Sequence, residues 1–305
     1  FKRLKEEFIT LDDEVKISEK AWRTGGSRSF IEVGKIIRLE DLLKGMIIQS
    51  GNDASVALAE HVAGSEGTFV LFMNDYAQQL GMTNSRFENS SGLPHEEQYT
   101  TAKDMAILSS AMIEEFPEFY KWYSEKEFTY NNITQTNRNK LLFTDSTVDG
   151  LKTGWTQMAG YCLVTSANRV GMRLITVVMG SASPAARTTE TEKLLDYGFR
   201  FFETQSVNDI SHQVPVYKSK KANIKVGVAE SSYLTLPRNQ FKYTTQTINL
   251  SGDLIAPITK GDEVGTLAIS FNNKNIATLP LIALDNAIEG GFLTKMVDTV
   301  KLLFR

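Results

Sequence analysis

The hydrophobic pattern of this 305-residue sequence changes period along the chain, and those changes decide what it can fold into. Apolar residues first recur three and four apart, in "RLEDLLKGMIIQS", "DASVALAEHVAG", "SEGTFVLFMNDYAQQLG" and "TTAKDMAILSSAMIEEF", which predicts four helices. Gly64 ends the second, while Ser65 is placed as the N-cap of the third and Gly81 as its stop. The period then shortens. "KEFTYNNITQTNRN" reads as a hairpin around Asn131 and Asn132, and "GYCLVTSANRVGMRLITVVMG" as two antiparallel strands joined at "NRVG". "SPAARTTETEKLLDYGFRFFET" returns to helix. Clustered helices, an antiparallel sheet and a late helix make an α+β domain, 1–204. Ahead of them, "FKRLKEEFITLDDEVKISEKAWRTGG" shows no helix cap, and "DEVKISEKAW" predicts an extended segment. This opening reads as the middle of a domain.

From about Gln205 to Ala287 helical periodicity is absent. Short alternating runs such as "HQVPVYKS", "NIKVGVAE", "SSYLTLPR", "EVGTLAISF" and "NIATLPLIAL" predict a second, all-β domain, 205–287, built as a small sandwich or barrel. It carries no distinctive site residues, so a spacer or partner-docking role is expected over ligand binding. The tail, 288–305, is helical again. Phe292, Leu293, Met296, Val297, Val300, Leu303 and Phe304 share one stripe, opposite Lys295, Asp298 and Lys301. Such a helix either docks on its own domain or lies in a membrane interface. In the second case seven side chains at about 1.5–3 kcal/mol each support reversible adsorption.

Composition narrows the function classes. A net charge of -3, with no basic block interleaved with aromatics, sets nucleic acid aside. The single cysteine, Cys162, excludes an intramolecular disulfide and reads as a buried strand position. No run of about 18 apolar residues is present, and the sequence opens at Phe1 with neither Met nor a signal-peptide core, so any targeting segment is expected to have been removed already or never to have been part of this chain. His61, His95 and His212 lack metal-ligand spacing, and no metal or cofactor is expected. "GGSRSF" reads as a flexible turn and not as a phosphate loop.

Two short motifs suggest chemistry. "QSGNDAS" places Ser50 and Asn52 on a tight turn between two helices, where a hydroxyl can pass a proton and an amide can hold a carbonyl. "GLKTGWTQMAGY" sets Lys152, Thr153 and Gly154 at the head of a strand. The lysine supplies fixed positive charge, the threonine hydroxyl can bond a carboxylate, and the glycine lets another backbone lie close to the strand edge. Each motif alone fits an ordinary turn or strand. Their order and placement together carry the signal.

These two motifs resemble the second and third active-site elements of serine penicillin-binding proteins and class A β-lactamases, whose first is Ser-x-x-Lys. No serine here has Lys three positions on. The segments "LLKGMIIQSGNDASVALAEHVAGSEGTFVLFMNDYAQQLGMTNSRFENSSGL", "YTTAKDMAILSSAMI", "FTYNNITQTNRNKLL", "VDGLKTGWTQMAGYCLVTSA" and "EKLLDYGFRFFET" are similar to the D-alanyl-D-alanine carboxypeptidase branch of low-molecular-mass penicillin-binding proteins, the penicillin-binding protein 5 and 6 type. The similarity spans nearly the whole chain, β-rich domain and tail included. In that family the Ser-x-x-Lys lies just before the point matching Phe1, so Phe1 is expected to fall inside the catalytic domain.

The resemblance implies a transpeptidase-like α+β fold and residue roles. Ser50 takes part in proton transfer with Lys152, Asn52 binds the substrate amide carbonyl, and Thr153 and Gly154 complete the third motif. Trp155 gives a main-chain N–H to the oxyanion hole, where the family usually has His, which leaves the side chain's part open. Arg187 helps bind the terminal carboxylate; from its spacing alone it would be a surface arginine at a helix start. The implied activity is removal of the terminal D-alanine from peptidoglycan pentapeptides through an acyl-enzyme, with β-lactams as covalent inhibitors. The implied location is the periplasm, peripheral on the inner membrane through the last helix. A β-lactamase, or a nucleophile-less scaffold if no residues precede Phe1, is the alternative. Ser-Gly-Asn, the extra β domain and the amphipathic tail argue against the β-lactamase.

Overall fold

The computed structural model describes residues 1–207, 211–228 and 232–304, which form two compact units, Phe1–Phe199 and Arg200–Arg305. In the first unit, the short helix α1 (Lys2–Lys5) leads to strand β1 (Glu14–Lys16), helix α2 (Glu19–Arg23) and strand β2 (Ile36–Arg38), with β1 and β2 paired antiparallel. The extended reading of the opening therefore holds only for β1. Ser18 accepts a hydrogen bond from Ala21 N and caps a helix over "EKAWR" that the alternation concealed.

Helix α3 (Leu39–Gln49) follows β2 directly. Leu39, Leu42, Leu43, Ile47 and Ile48 are all buried, so one full stripe enters the core, while Glu40 and Asp41 occupy the first turn, where the helix dipole favours acid. Helix α4 (Asn52–Ala63) begins after a two-residue break and ends on Gly64 at φ 77°. Helix α5 (Glu66–Gln79) opens on Ser65, whose side chain accepts from Thr68 N at 3.1 Å. Helix α6 (Ala102–Glu115) opens in the same way on Thr101.

Helix α7 (Pro117–Tyr120) and a 3₁₀ turn (Lys121–Ser124) carry the chain into hairpin β3 (Glu127–Tyr130) and β4 (Ile133–Thr136). Asn131 and Asn132 lie at φ 49° and 60°, the left-handed pair that a two-residue hairpin turn of matching twist requires. Helix α8 (Leu141–Thr144) precedes a three-stranded antiparallel sheet of β5 (Val148–Thr156), β6 (Gly160–Arg169) and β7 (Met172–Ser181), with β6 in the centre. Val170 and Gly171 turn the β6–β7 hairpin, both at positive φ. A bidentate pair between Arg173 and Asp149, with Tyr120 Oη donating to Asp149 Oδ1 at 2.7 Å, fixes the start of β5. Helix α9 (Pro184–Phe201) closes the first unit.

Strand β8 (Phe202–Ser206) pairs with β11 (Tyr233–Pro237), so the division expected after Thr204 falls within a strand of the second unit. The rest of that unit is a five-stranded antiparallel sheet in the order β12 (Thr244–Leu250), β13 (Glu263–Phe271), β14 (Lys274–Ala283), β10 (Asn223–Val228), β9 (Ser211–Pro215). Its core gathers Ile224, Val226, Leu267, Ile269 and Leu281. Strand β12 was not among the predicted runs; its mostly exposed "TTQTINL" offers little apolar alternation at the sheet edge. The chain ends in helix α10 (Phe292–Leu303).

Candidate active site

The break between α3 and α4 is shaped by three neighbouring residues. Ser50 stands at φ 63°, ψ 38°, a left-handed conformation that costs a non-glycine residue about 1–2 kcal/mol. Gly51 needs its missing side chain for space: a Cβ there would overlap Ser29 Oγ. Asn52 donates its main-chain N–H to Ser27 O at 2.9 Å and its Nδ2 to Gly25 O at 2.8 Å. That amide nitrogen has a second N–H to offer.

Asp53, 1% exposed, accepts from Ser29 N at 2.8 Å and Ile31 N at 3.4 Å. The segment "GGSRSF", read from sequence as a flexible turn, is thus pinned beside Ser50 by the main chain and side chains of two consecutive residues of α4.

Strand β5 brings the second motif to the first. Lys152 Nζ donates to Ser50 Oγ, joining residues 102 positions apart, and to Thr153 O at 3.3 Å. Burial pulls the Lys152 ammonium down from 10.5 to about 7, helped by the positive charges of Arg138 and Arg187. A lysine so placed can trade a proton with a hydroxyl near neutral pH.

Arg187 is not a surface residue. It is 9% exposed, and its Nη1 donates to Gly154 O at 3.3 Å and Cys162 O at 3.2 Å. Gly154 and Cys162 are directly opposite across β5 and β6. For one nitrogen to reach both carbonyls, both must point between the strands, which makes this a hydrogen-bonded pair. Main-chain groups alternate along a strand, so those of Thr153 and Trp155 point to the other edge of β5. Among the described residues no strand occupies that edge. Thr153 O, reached by Lys152 Nζ, agrees with this orientation. The Trp155 side chain is 59% exposed. Cys162, expected to be buried, is only half-buried opposite the exposed Gly154.

One cluster escaped the sequence reading. Asn137 and Asn139 are buried and spend their amides on main chain: Asn137 Nδ2 donates to Glu125 O at 3.0 Å, Asn139 Nδ2 to Gly150 O at 3.1 Å, and Asn139 Oδ1 accepts from Leu141 N. Between them Arg138 is exposed and donates Nε to Gln49 O at 3.0 Å, at the residue preceding Ser50. The visible signal was the "NRN" tripeptide itself, a pair of amides flanking a cation.

The remaining candidates lie elsewhere. His61 Nε2 is 3.0 Å from Asp13 Oδ2, and His95 Nδ1 accepts from Glu97 N at 3.3 Å. His212 is on β9, in the second unit. Among the described residues no group of three or more His, Cys, Asp or Glu could hold a metal ion. On α10, Phe292, Leu293, Met296, Val297, Val300 and Leu303 are exposed, as is Phe304 beyond its end, whereas Asp298 is buried and accepts from Lys218 N at 2.7 Å and Lys301 Nζ at 2.9 Å. The helix therefore docks through Asp298, with Lys301 still exposed, and leaves its apolar stripe outward. No helix among the described residues is long and apolar enough to cross a membrane.

Comparison with known proteins places the chain in a family. The family model for D-alanyl-D-alanine carboxypeptidase, peptidase family S11, matches residues 1–183, and that for the penicillin-binding protein 5 C-terminal domain matches 199–289. The D-alanyl-D-alanine carboxypeptidase DacC of Escherichia coli K12 is 44% identical over 99% of this chain and 78% of its own length. The carboxypeptidase DacF of Bacillus subtilis is 37% identical over 96% of this chain and 77% of its own. The crystal structure of penicillin-binding protein 5 from Haemophilus influenzae superposes with a TM-score of 0.81 at 39% identity, covering 94% of this chain and 86% of that one.

Proposed function

For a chain that belongs to the D-alanyl-D-alanine carboxypeptidase family, and is accordingly a serine-type D-Ala-D-Ala carboxypeptidase of cell-wall peptidoglycan and a penicillin-binding protein, we propose the following division of labour. The acceptor of the peptide is the open edge of β5. A peptidoglycan stem ending in D-Ala-D-Ala lies along that edge, its amide carbonyl bonded by the free N–H of Asn52. The nucleophile is the serine of a Ser-x-x-Lys, which is not among residues 1–305.

Its Oγ attacks the carbonyl carbon between the two D-alanines, and its proton passes to a neighbouring lysine. The main-chain N–H of Trp155 and that of the nucleophile hold the oxyanion. As the C–N bond breaks, the Lys152–Ser50 pair relays a proton to the departing D-alanine amine. Thr153 and Arg187 favour the terminal carboxylate, Thr153 through its hydroxyl and Arg187 through its charge and its hold on the Gly154 carbonyl. Water then releases the shortened peptide. β-Lactams enter by the same attack and leave slowly.

The observation that carries this reading is the hydrogen bond from Lys152 to Ser50. Two polar residues from distant motifs converge where the lysine is held near neutrality, an arrangement with a chemical use and no packing need. Attachment is proposed at the periplasmic side of the inner membrane, through the exposed apolar stripe of α10.

The test is made on the full-length protein. Release of D-alanine from diacetyl-Lys-D-Ala-D-Ala, together with a stable one-to-one penicilloyl adduct on intact-mass spectrometry, supports the assignment. Rapid penicillin turnover without accumulation would make it a β-lactamase, and neither adduct nor release would make it a scaffold.

A further inference from the structure

The row of side chains that crosses the sheet at Trp155 extends beyond the protein. On the β6 side the residue opposite Trp155 is Tyr161, with ring centroids 5.7 Å apart and planes inclined by 34°. The Arg187 guanidinium lies 5.7 Å from the Tyr161 ring on the same row. Trp155 is therefore propped from one side by a tilted aromatic ring, which a buried cation backs in turn. On its other side is the edge of β5 with which no strand among the described residues pairs, and more than half of the residue is in water. Met158, in the turn that follows, is 94% exposed and adds a second apolar side chain to the same end of the strand.

A chain added to a strand edge places side chains opposite those of the strand, about 4.5–5.5 Å away on the same face, with diagonal neighbours still within reach of an aromatic ring. A substrate bound along β5, the placement proposed above and the one on which this inference rests, must therefore bring a substituent against the free side of the Trp155 indole. An indole fixed at that distance stacks with planar and apolar groups and gives little to a small or anionic one.

We propose that the Trp155 side chain is a specificity-determining element: braced by Tyr161 and Arg187, it forms a ledge that favours substrates and β-lactams carrying an apolar or planar substituent on the acyl side of the attacked carbonyl. This role is separate from the main-chain N–H of the same residue, which any side chain would leave in place.

The experiment compares second-order acylation rates of the full-length protein by benzylpenicillin, which carries a phenylacetyl group, and by 6-aminopenicillanic acid, which carries a bare amine. The readout is the ratio of the two rates. Trp155→Ala is expected to lower the ratio about tenfold, Tyr161→Leu to lower it by a smaller factor by removing the prop, and Trp155→Phe to retain most of it. A ratio unchanged in Trp155→Ala, or a loss that strikes both penicillins equally, overturns the ledge and reduces Trp155 to a brace for the turn. If the unsubstituted protein is acylated by neither penicillin, the carboxypeptidase reading has failed first and the ledge falls with it.

Discussion

Replacing Lys152 by methionine should make the protein more stable at pH 6 and no more stable, or less so, at pH 10. The ammonium of the partly buried Lys152 lies against Ser50, and its pKa falls from 10.5 to about 7, with burial the largest cause. At about 1.4 kcal/mol for each unit, this amounts to roughly 5 kcal/mol of folding free energy lost where both states are protonated. The sign follows from proton counts. Below pH 7 folded and unfolded chains both carry the proton, and the folded chain bears the full cost of burying a charge. Between pH 7 and about 10.5 the unfolded chain holds more protons than the folded one, so wild-type stability rises with pH and the penalty vanishes.

Methionine keeps the length of the side chain and removes the charge. It also removes the bond to Ser50, worth about 1–2 kcal/mol, which sets the net gain at pH 6 at about 3–4 kcal/mol. For a unit of this size that corresponds to a rise in Tm of about 5–15 °C. Near pH 10 only the lost bond remains, and the order should reverse. Urea unfolding of both proteins at the two pH values, followed by circular dichroism, measures the difference with all shared titrations cancelled. A variant no more stable than wild type at pH 6, or a difference independent of pH, would refute the argument that Lys152 is held near neutrality at a cost to the fold.

Removing the positive charge of Arg138 (Arg138→Gln) should raise the Lys152 pKa and move the acid limb of the kcat/KM profile to higher pH, while Arg138→Lys should leave it near its original position. Ser50→Gly should be about 1 kcal/mol more stable than Ser50→Ala in the same urea assay, since both lack the hydroxyl and only glycine relieves the left-handed backbone; equal stabilities would show that no strain is held there. Asn139→Ala should cost about 2–4 kcal/mol by orphaning the buried Gly150 carbonyl and Leu141 N–H, and β-lactam acylation should slow by more than the loss of folded protein accounts for. The double variant Phe292→Ser and Leu303→Ser should abolish co-sedimentation with phospholipid vesicles while hydrolysis of a soluble peptide is retained, and unchanged co-sedimentation would refute the interfacial role of α10.

What could be read from the sequence was what a short stretch of chain determines by itself. Ser65 caps α5 because its hydroxyl reaches an N–H three residues away, and Asn131–Asn132 makes a hairpin because its own backbone angles permit one. Ser50 and Lys152 could be picked out for a similar reason: each belongs to a compact motif on an element whose type was clear. Arg138 and Asn139 could not. Their work is to bond main-chain atoms of segments 11 and 89 positions away, and such bonds leave no period in the sequence. Helix α2 was lost because Val15 and Ile17 alternate into it, so two elements read as one extended run. The placing of Arg187 illustrates the limit from the other side: a helix start predicts exposure, yet the sheet beneath it offers two neighbouring carbonyls within reach of the guanidinium.

These long-range bonds share a physical logic. The cleft is built from two loops and an open strand edge, none of which has a ladder of its own on the side facing the site. Main chain in such places is held either by water or by side chains. Here polar side chains, all but Asn52 buried, do the holding: Asp53 and Asn52 for the segment beside Ser50, Asn137 and Asn139 for the approach to β5, and Arg187 for the row at Gly154. Each fixes atoms at hydrogen-bond distance and leaves no internal freedom to be lost when substrate binds. The groups proposed for catalysis therefore meet in a frame set before the substrate arrives, which is what oxyanion and proton-relay chemistry require, since a donor displaced by about 1 Å loses most of its value in the transition state. On this logic substitutions of Asp53, Asn137 and Asn139, behind the cleft, should damage acylation as severely as substitutions within it, although none of those three side chains is placed on the substrate.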